Sequence, residues 1–297
     1  MPIRIGTRGS RLALAQAQKV ARLLDERGVG TEIVVISTQG DTVTGVPLHE
    51  IGGQGVFVRA LDEAILAGTI DAAVHSMKDI PTKRPAGLSL SAVLTRDSPA
   101  DFLVHRLPLE RVQLIGTSST RRRAQLLRHD PGVAIDNLRG NVDTRLRKLD
   151  EGHYDAIVLA EAGLDRLGIR VPGTRLPPET FVPSPNQGTI AVVGRDNAAV
   201  SAKLAALDDP VSRKDILLER AVMEELGGGC YTPMGIYSDT GHLIVEVLSL
   251  DGSRGERFER DLSDIGGARV FAREIKPKVD PLVQEACEAL KLNRDDA

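Results

Sequence analysis

Aromatic residues, cysteines and long apolar runs are scarce in this chain of 297 residues. Five phenylalanines, three tyrosines and no tryptophan are too few for the stacking surface of single-strand nucleic-acid-binding proteins. The two cysteines, Cys230 and Cys287, cannot form a disulfide framework. No run approaches the roughly 18 apolar residues of a membrane span, and the N-terminus lacks a signal-peptide core. We therefore expect a cytoplasmic protein with no membrane or nucleic-acid partner.

Lysine is also scarce, with 9 residues against 29 arginines, although acidic and basic residues nearly balance at a net charge of -3. The planar guanidinium group binds carboxylate or phosphate through two hydrogen bonds, whereas lysine acts as a point charge. The six histidines show no metal-ligand spacing, so no bound metal is expected. The imbalance favours an anionic small molecule as ligand.

Apolar periodicity predicts an α/β fold with two doubly wound lobes, resembling periplasmic binding proteins, and a small C-terminal α+β domain. Strands near Ile3–Gly6 and Glu32–Ser37 flank a helical face, and a second α/β run starts near Arg96. The strand at Thr189–Val193 follows a proline-rich segment and should return to the first lobe. We expect domain 1 at residues 1–94 with 188–207, domain 2 at 95–187 and domain 3 at 208–297, with a closing helix near Asp280–Leu290.

The segment 117–123 (TSSTRRR) follows a predicted strand and opens a predicted helix. Hydroxyl groups and free backbone N–H groups at the positive end of a helix favour anion binding. Residues 119–147 contain seven arginines, no lysine and three acids, so this segment is strongly basic. For Arg121 and Arg122 we favour anion binding, and for Arg123, Arg128 and Arg147 a solvated surface.

Three further segments carry candidate chemistry. Residues 75–79 (HSMKD) follow a predicted strand at the sheet edge where open α/β sheets bind ligands, although His75 alone fits a structural histidine better. Cys230 follows three glycines, which suggests a tight loop. The surrounding sequence leaves two interpretations about equally open: a thiol that reacts or carries a covalently attached group, and an inert buried thiol. Cys287 fits the apolar pattern of the last helix. The loop Gly52–Gly55 matches no nucleotide motif and favours a hinge or lid.

Together these segments resemble the porphobilinogen deaminase family, also called hydroxymethylbilane synthases. The matching motifs occur in family order between residues 3 and about 235. They are IGTRGS (5–10), GGQGVF (52–57), VHSMKDIP (74–81), GTSSTRR (116–122), LRGNVDTR (138–145), YDAIVLA (154–160), GLDRLG (163–168), NQG (186–188) and GGC (228–230).

The resemblance implies a monomeric transferase of tetrapyrrole (porphyrin) biosynthesis that joins four porphobilinogen molecules head to tail. Ammonia is released and the product is hydroxymethylbilane. It also implies a covalent dipyrromethane cofactor, held by a thioether to the cysteine that matches Cys230. Each pyrrole carries an acetate and a propionate, which accounts for the arginines.

The resemblance also assigns residue roles. Asp79 matches the catalytic aspartate. The residues matching the cofactor-binding set are Cys230, Lys78, Ser119, Arg121, Arg122 and Arg145. Those matching the substrate-binding set are Arg8, Ser10, Arg139, Arg166, Gln187 and Phe57.

The chain departs from the family pattern in two places. Glu50 and Gln54 stand where many members carry lysines, so we expect altered behaviour of that loop, with Arg59 as one substitute charge. Pro185 and Asn186 replace smaller residues before Gln-Gly and should stiffen the hinge between the first two lobes. Two alternatives stay open: a two-lobed carboxylate-binding receptor without catalysis, which does not explain Cys230, and a phosphate-binding transferase, which lacks a nucleotide motif.

Overall fold

The computed structural model describes residues 1–37, 56–82, 84–195, 198–227 and 232–291. The chain divides into two compact units, each assembled from two stretches of sequence. The first unit comprises residues 1–97 and 188–213, and the second comprises residues 98–187 and 214–297. No helix in the described ranges is long and apolar enough to cross a membrane.

The strands of the described ranges form three sheets. In chain order they are β1 (Ile3–Thr7), β2 (Thr31–Val35), β3 (Ala72–Ser76), β4 (Leu88–Val93), β5 (Asp101–His105), β6 (Leu114–Gly116), β7 (Ala134–Asp136), β8 (Ala156–Ala160), β9 (Gly173–Leu176), β10 (Ile190–Arg195), β11 (Met234–Asp239), β12 (His242–Leu248) and β13 (Gly255–Asp261).

The helices that connect and cover these strands are α1 (Arg11–Asp25), α2 (Val56–Leu66), α3 (Thr120–His129), α4 (Val142–Asp150), α5 (Glu161–Arg166), α6 (Ala198–Ala205), α7 (Pro210–Leu226) and α8 (Ile265–Ala289). Short 3-10 turns occur at Met77–Asp79 and Leu109–Arg111.

The sheet of the first unit has the strand order β2-β1-β3-β10-β4. Strands β1, β2 and β3 are parallel, whereas β10 runs antiparallel to both β3 and β4. The strand after the proline-rich segment therefore returns to the first sheet, as predicted, and places Val192 opposite Val74.

Helices cover both faces of this sheet, because its strands are apolar on both sides. On one face the buried side of α1, with Val20 and Leu24, packs with Ile5 of β1. On the other face α2 approaches β1 at Gly6, where a Cβ would collide with Ile70 and lie 3.1 Å from Leu61 Cδ2.

The second unit contains a sheet of order β7-β6-β8-β5-β9. Strands β6, β7 and β8 are parallel, and β5 is antiparallel to β8 and β9. Alternate residues of β8 enter separate cores, with Val158 on one face and Ile157 and Leu159 on the other. The sheet is therefore buried on both faces, as expected for an α/β layer.

The same unit contains a three-stranded antiparallel sheet, β11-β12-β13, covered by α7 and α8. Helix α8 begins at Ile265, whose N-cap Asp264 accepts a hydrogen bond from Gly267 N–H at 2.9 Å. The predicted closing helix was thus too short, because Pro277 and Pro281 lie inside α8 and resemble helix breakers in the sequence. Two α/β sheets and a small C-terminal sheet domain confirm the predicted fold class.

Candidate active site

In the first unit, Asp79 ends a 3-10 turn that directly follows β3. The turn is anchored at its start, because Met77 N–H donates to Thr189 O at 2.9 Å and Gln16 Nε2 donates to Ser76 Oγ at 2.8 Å. The Asp79 side chain is exposed. Its carboxylate therefore stands at the surface on a backbone that is held firmly in place.

Arg8 and Ser10 lie at the same sheet edge, because β1 and β3 are parallel neighbours with Gly6 opposite Ala73. Both strands end there, so Arg8, Ser10, Lys78 and Asp79 all follow strand ends at this edge, where open α/β sheets bind ligands. The Ser10 hydroxyl accepts a hydrogen bond from Ala13 N–H at 3.3 Å and caps α1.

His75 lies one residue before the end of β3 and is buried. Burial, together with the positive charges of Arg84 and Arg8, lowers its pKa to about 3. The imidazole is therefore neutral at physiological pH, which agrees with the structural interpretation of this histidine. Its Nε2 atom has no hydrogen-bond partner in the described part of the chain.

In the second unit, the segment 117–123 runs from β6 into α3 as predicted, with Ser119 as the N-cap. The Ser119 hydroxyl accepts from Arg122 N–H at 3.4 Å, and Thr117 Oγ1 accepts from Ser119 N–H at 3.2 Å. Ser118 Oγ donates to Leu138 O at 2.9 Å. The hydroxyl groups thus shape the loop from within.

Arg121 and Arg122 point into the second unit and share one acid, Asp101, which is completely buried. Arg121 Nη2 lies 2.8 Å from Asp101 Oδ2, and Arg122 Nη2 lies 2.7 Å from Asp101 Oδ1. Gln187 Nε2 donates to the same Oδ1 at 2.9 Å and to Pro99 O at 2.8 Å. We call Asp101, Arg121, Arg122 and Gln187 the Asp101 cluster.

Arg139 and Arg145 stand beside this cluster, on the loop before α4 and within α4. Burial and the positive charges of Arg122 and Arg139 lower the pKa of Arg145 to about 10. Arg145 Nε donates to Gly140 O at 2.7 Å. The Arg122 and Arg139 guanidinium groups are therefore close enough to disfavour the charged form of Arg145, as expected for a site that receives an anion.

The remaining arginines are more exposed. Arg166 ends α5 and is partly exposed. Arg123, Arg128 and Arg147 are exposed, and Arg147 pairs with Glu151 on the surface at 2.6 Å, in agreement with the predicted solvated surface for these three.

Several predicted residues lie outside the described part of the chain. They are Cys230, the loop Gly52–Gly55 and the positions of Glu50 and Gln54. Phe57 belongs to α2, but its side chain is likewise outside the description. Cys287 lies on the buried face of α8 and belongs to the core, as predicted.

Among the buried acids that sequence reasoning missed, two contact residues singled out above. Asp101 is the partner of the arginine pair, and Glu219 accepts hydrogen bonds from Asn186 N–H and, at 2.8 Å, from Ser238 N–H. Asn186 has a left-handed backbone with φ of 65°, which asparagine tolerates better than most residues. The signal available for Asp101 was an acid at the start of a largely apolar strand, since a buried carboxylate needs a partner.

Two sequence models match this chain over most of its length. Residues 3–203 match "Porphobilinogen deaminase, dipyromethane cofactor binding domain", and residues 214–271 match "Porphobilinogen deaminase, C-terminal domain". A protein named probable porphobilinogen deaminase from Methanosarcina acetivorans is 51% identical, with 91% of this chain and 89% of the relative covered. A relative of the same name from Thermoplasma acidophilum is 42% identical, with 93% and 97% covered.

Among solved structures, a periplasmic substrate-binding protein of an ABC transporter from Coxiella burnetii aligns with a TM-score of 0.41 at 14% identity. The alignment covers 71% of this chain and 94% of that protein. This similarity is too weak to favour the receptor alternative. The sequence matches are decisive, and the chain belongs to the porphobilinogen deaminase family.

Proposed function

We propose that this chain condenses four porphobilinogen molecules head to tail, with one ammonia released at each addition, and that one water molecule then releases the product as hydroxymethylbilane. The observation that carries the proposal is the group of Arg122, Arg139 and Arg145, whose neighbouring charges and burial lower the pKa of Arg145 to about 10. Arg145 remains charged at physiological pH, and a bound carboxylate would raise its pKa again and stabilise this charged form. Porphobilinogen and its oligomers carry two carboxylates per pyrrole, so they suit this group.

The same residues fit the dipyrromethane cofactor of the family. Lys78, Ser119, Arg121, Arg122 and Arg145 would hold its carboxylates, and Cys230 would carry its thioether. When bound, the cofactor supplies the free pyrrole α-carbon to which the first substrate is joined. The Nε atoms of Arg121 and Arg122 are buried without a partner in the described ranges, so each arginine retains one unsatisfied hydrogen-bond donor.

Asp79 is proposed as the catalytic residue. Its exposed carboxylate can accept a hydrogen bond from the substrate pyrrole N–H and stabilise positive charge there while ammonia leaves. The same carboxylate can take up the proton lost when the new ring regains aromaticity. Gln16 and Thr189 hold the turn beneath it, so the carboxylate is positioned before substrate arrives.

Arg8, Ser10, Arg139, Arg166, Gln187 and Phe57 are proposed to contact substrate or the growing chain. The proposal also includes three domains, at residues 1–94 with 188–207, 95–187 and 208–297. We further propose that the protein works as a cytoplasmic monomer without nucleic-acid or membrane partners.

Intact mass of the denatured protein tests the cofactor. The wild-type chain should be heavier than its sequence by two linked pyrrole units, and the Cys230→Ser control should lack this increment. If the purified protein is unmodified, incubation with porphobilinogen should add the increment. A wild-type chain that stays unmodified after this incubation would reject the proposal.

Consumption of porphobilinogen tests the reaction. Asp79→Asn replaces an exposed carboxylate with an amide of the same shape, so the variant should keep the wild-type circular dichroism spectrum and lose nearly all turnover. Wild-type turnover in this variant would remove Asp79 from the mechanism.

A further inference from the structure

The Asp101 carboxylate is the centre of a fully internal hydrogen-bond arrangement. It accepts from Arg121, Arg122 and Gln187, while the opposite ends of the two guanidinium groups are bonded elsewhere. Arg121 Nη1 donates to Val182 O at 2.9 Å, and Arg122 Nη1 donates to Val158 O at 3.0 Å. Each guanidinium group is therefore fixed through both terminal nitrogens.

Charge explains why one acid is placed between two arginines. An ion removed from water is costly unless it is paired and hydrogen-bonded. Burial alone would raise the pKa of Asp101, but the charges and hydrogen bonds of Arg122 and Arg121 lower it overall. The carboxylate is therefore ionised at physiological pH, and Asp101, Arg121 and Arg122 together carry one net positive charge.

The orientation of Arg122 matters outside the cluster, because its charge reaches Arg145. Arg145 is held separately, through Gly140 O on its own loop. The relative placement of these two guanidinium groups thus depends on Asp101 on one side and on the α4 loop on the other.

We infer that Asp101 is a positioning residue that fixes the Arg122 guanidinium group beside Arg145 and cancels one positive charge in doing so. Asp101 itself touches no substrate. Only the test by KM rests on the proposed function. The alternative role for Asp101 is that it merely lowers the net positive charge of the site without positioning Arg122.

The two roles predict opposite effects of Asp101→Asn on the KM for porphobilinogen. The variant gains one net positive charge, so a residue that only dilutes charge should give a lower KM. If Asp101 positions Arg122, KM should rise by about tenfold or more, the equivalent of one lost charge-assisted hydrogen bond, and kcat should fall less than KM rises. An unchanged or lower KM would overturn the inference.

A direct readout does not need activity. Phenylglyoxal modifies accessible arginines, and peptide mass spectrometry gives the rate at each position. In the wild-type protein Arg121 and Arg122 should react slowly because they are buried and paired, and in Asp101→Asn at least one should react about tenfold faster. Continued protection of both arginines in the variant would overturn the inference.

The Asp62–Arg84 pair in the first unit provides a matched control. Asp62 is a buried carboxylate bonded to a mostly buried arginine, and the Nε of Arg84 also lacks a partner in the described ranges. Asp62→Asn should accelerate modification of Arg84 and leave Arg121 and Arg122 protected. If it also exposes those two, their protection reports global stability and the inference is overturned.

If Asp101→Asn does not yield folded protein, Asp101→Glu replaces it. This variant keeps the charge but moves the carboxylate by one methylene group, so the same faster modification and higher KM are expected. Wild-type values of both would overturn the inference. Because the modification rates require no substrate, they remain decisive even if the wild-type protein proves inactive towards porphobilinogen.

Discussion

Gly235→Ala tests how closely the C-terminal sheet approaches the arginine site. A Cβ at Gly235 of β11 would lie 2.6 Å from Val182 O and 2.7 Å from Val182 Cβ. The same carbonyl oxygen accepts hydrogen bonds from Arg121 Nη1 at 2.9 Å and Gln125 Nε2 at 2.7 Å. A methyl group here would therefore displace the acceptor that fixes Arg121.

The size of the effect follows from these distances. Ordinary van der Waals contact begins at 3.4 Å, so Val182 or β11 must move by about 0.8 Å. Overpacking of this kind costs about 1–3 kcal/mol, and weakening a buried hydrogen bond to Arg121 costs about 1–2 kcal/mol more. We expect the free energy of unfolding to fall by about 2–5 kcal/mol, a large part of the stability of an ordinary domain.

Urea unfolding measures the loss, and phenylglyoxal modification of Arg121 reports the local displacement. Gly30→Ala is the matched control, because no atom lies within 4 Å of a Cβ there, and it should be neutral or slightly stabilising. If Gly235→Ala unfolds at the same urea concentration as Gly30→Ala and keeps Arg121 protected, the reasoning from close approach is wrong.

Three further predictions concern charge and capping. The lowered pKa of Arg145 means that its charge disfavours the folded state below about pH 10, so Arg145→Gln should stabilise the cofactor-free protein by about 1 kcal/mol in thermal unfolding. The same variant should have a higher KM for porphobilinogen. Replacing the exposed Arg147 by Gln should change neither quantity, and a loss of stability in Arg145→Gln would contradict the assignment. His75 is protonated near pH 6.5 in the unfolded chain but only near pH 3 in the folded chain, so the free energy of unfolding decreases as pH falls between these values. His75→Gln should make this dependence on pH shallower by up to about 1.4 kcal/mol per pH unit. Urea unfolding at several pH values measures it, and the same dependence in both proteins would refute the prediction. Ser119→Ala removes the cap of α3 and should cost about 1 kcal/mol with a higher KM, whereas Asp264→Ala at the cap of α8 should cost as much with no change in KM.

Local signals in the sequence predicted much of the fold. The segment 117–123 was recognised as the start of α3 because the hydroxyl residues that cap a helix and the helix itself are neighbours in the chain. Strand β9 (Gly173–Leu176) was missed because Pro172 and Pro177 flank it, although prolines are tolerated at edge strands such as this one. Strand β11 was missed because the glycine-rich sequence that precedes it indicated a loop.

The site was predictable only where its residues follow strand ends or helix starts. Asp79 and Arg8 follow parallel strands, so their shared edge could be expected. The pairing of Asp101 with Arg121 and Arg122 joins residues 20 and 21 positions apart through the tertiary fold. The spacing of these residues in the sequence does not indicate such a contact, so only the structure reveals that both arginines are buried.

The close packing at Val182 also limits how this protein can be recombined. The two matched sequence models leave a gap between residues 203 and 214, which looks like a natural crossover point for chimeras between relatives. Yet Ile236 N–H donates to Pro183 O at 3.0 Å, and Gly235 leaves no room above Val182. A C-terminal domain taken from a relative must therefore fit the recipient protein where Gly235 and Ile236 contact Val182 and Pro183. Any larger residue at position 235 would disturb Arg121, which belongs to the recipient and not to the transferred domain.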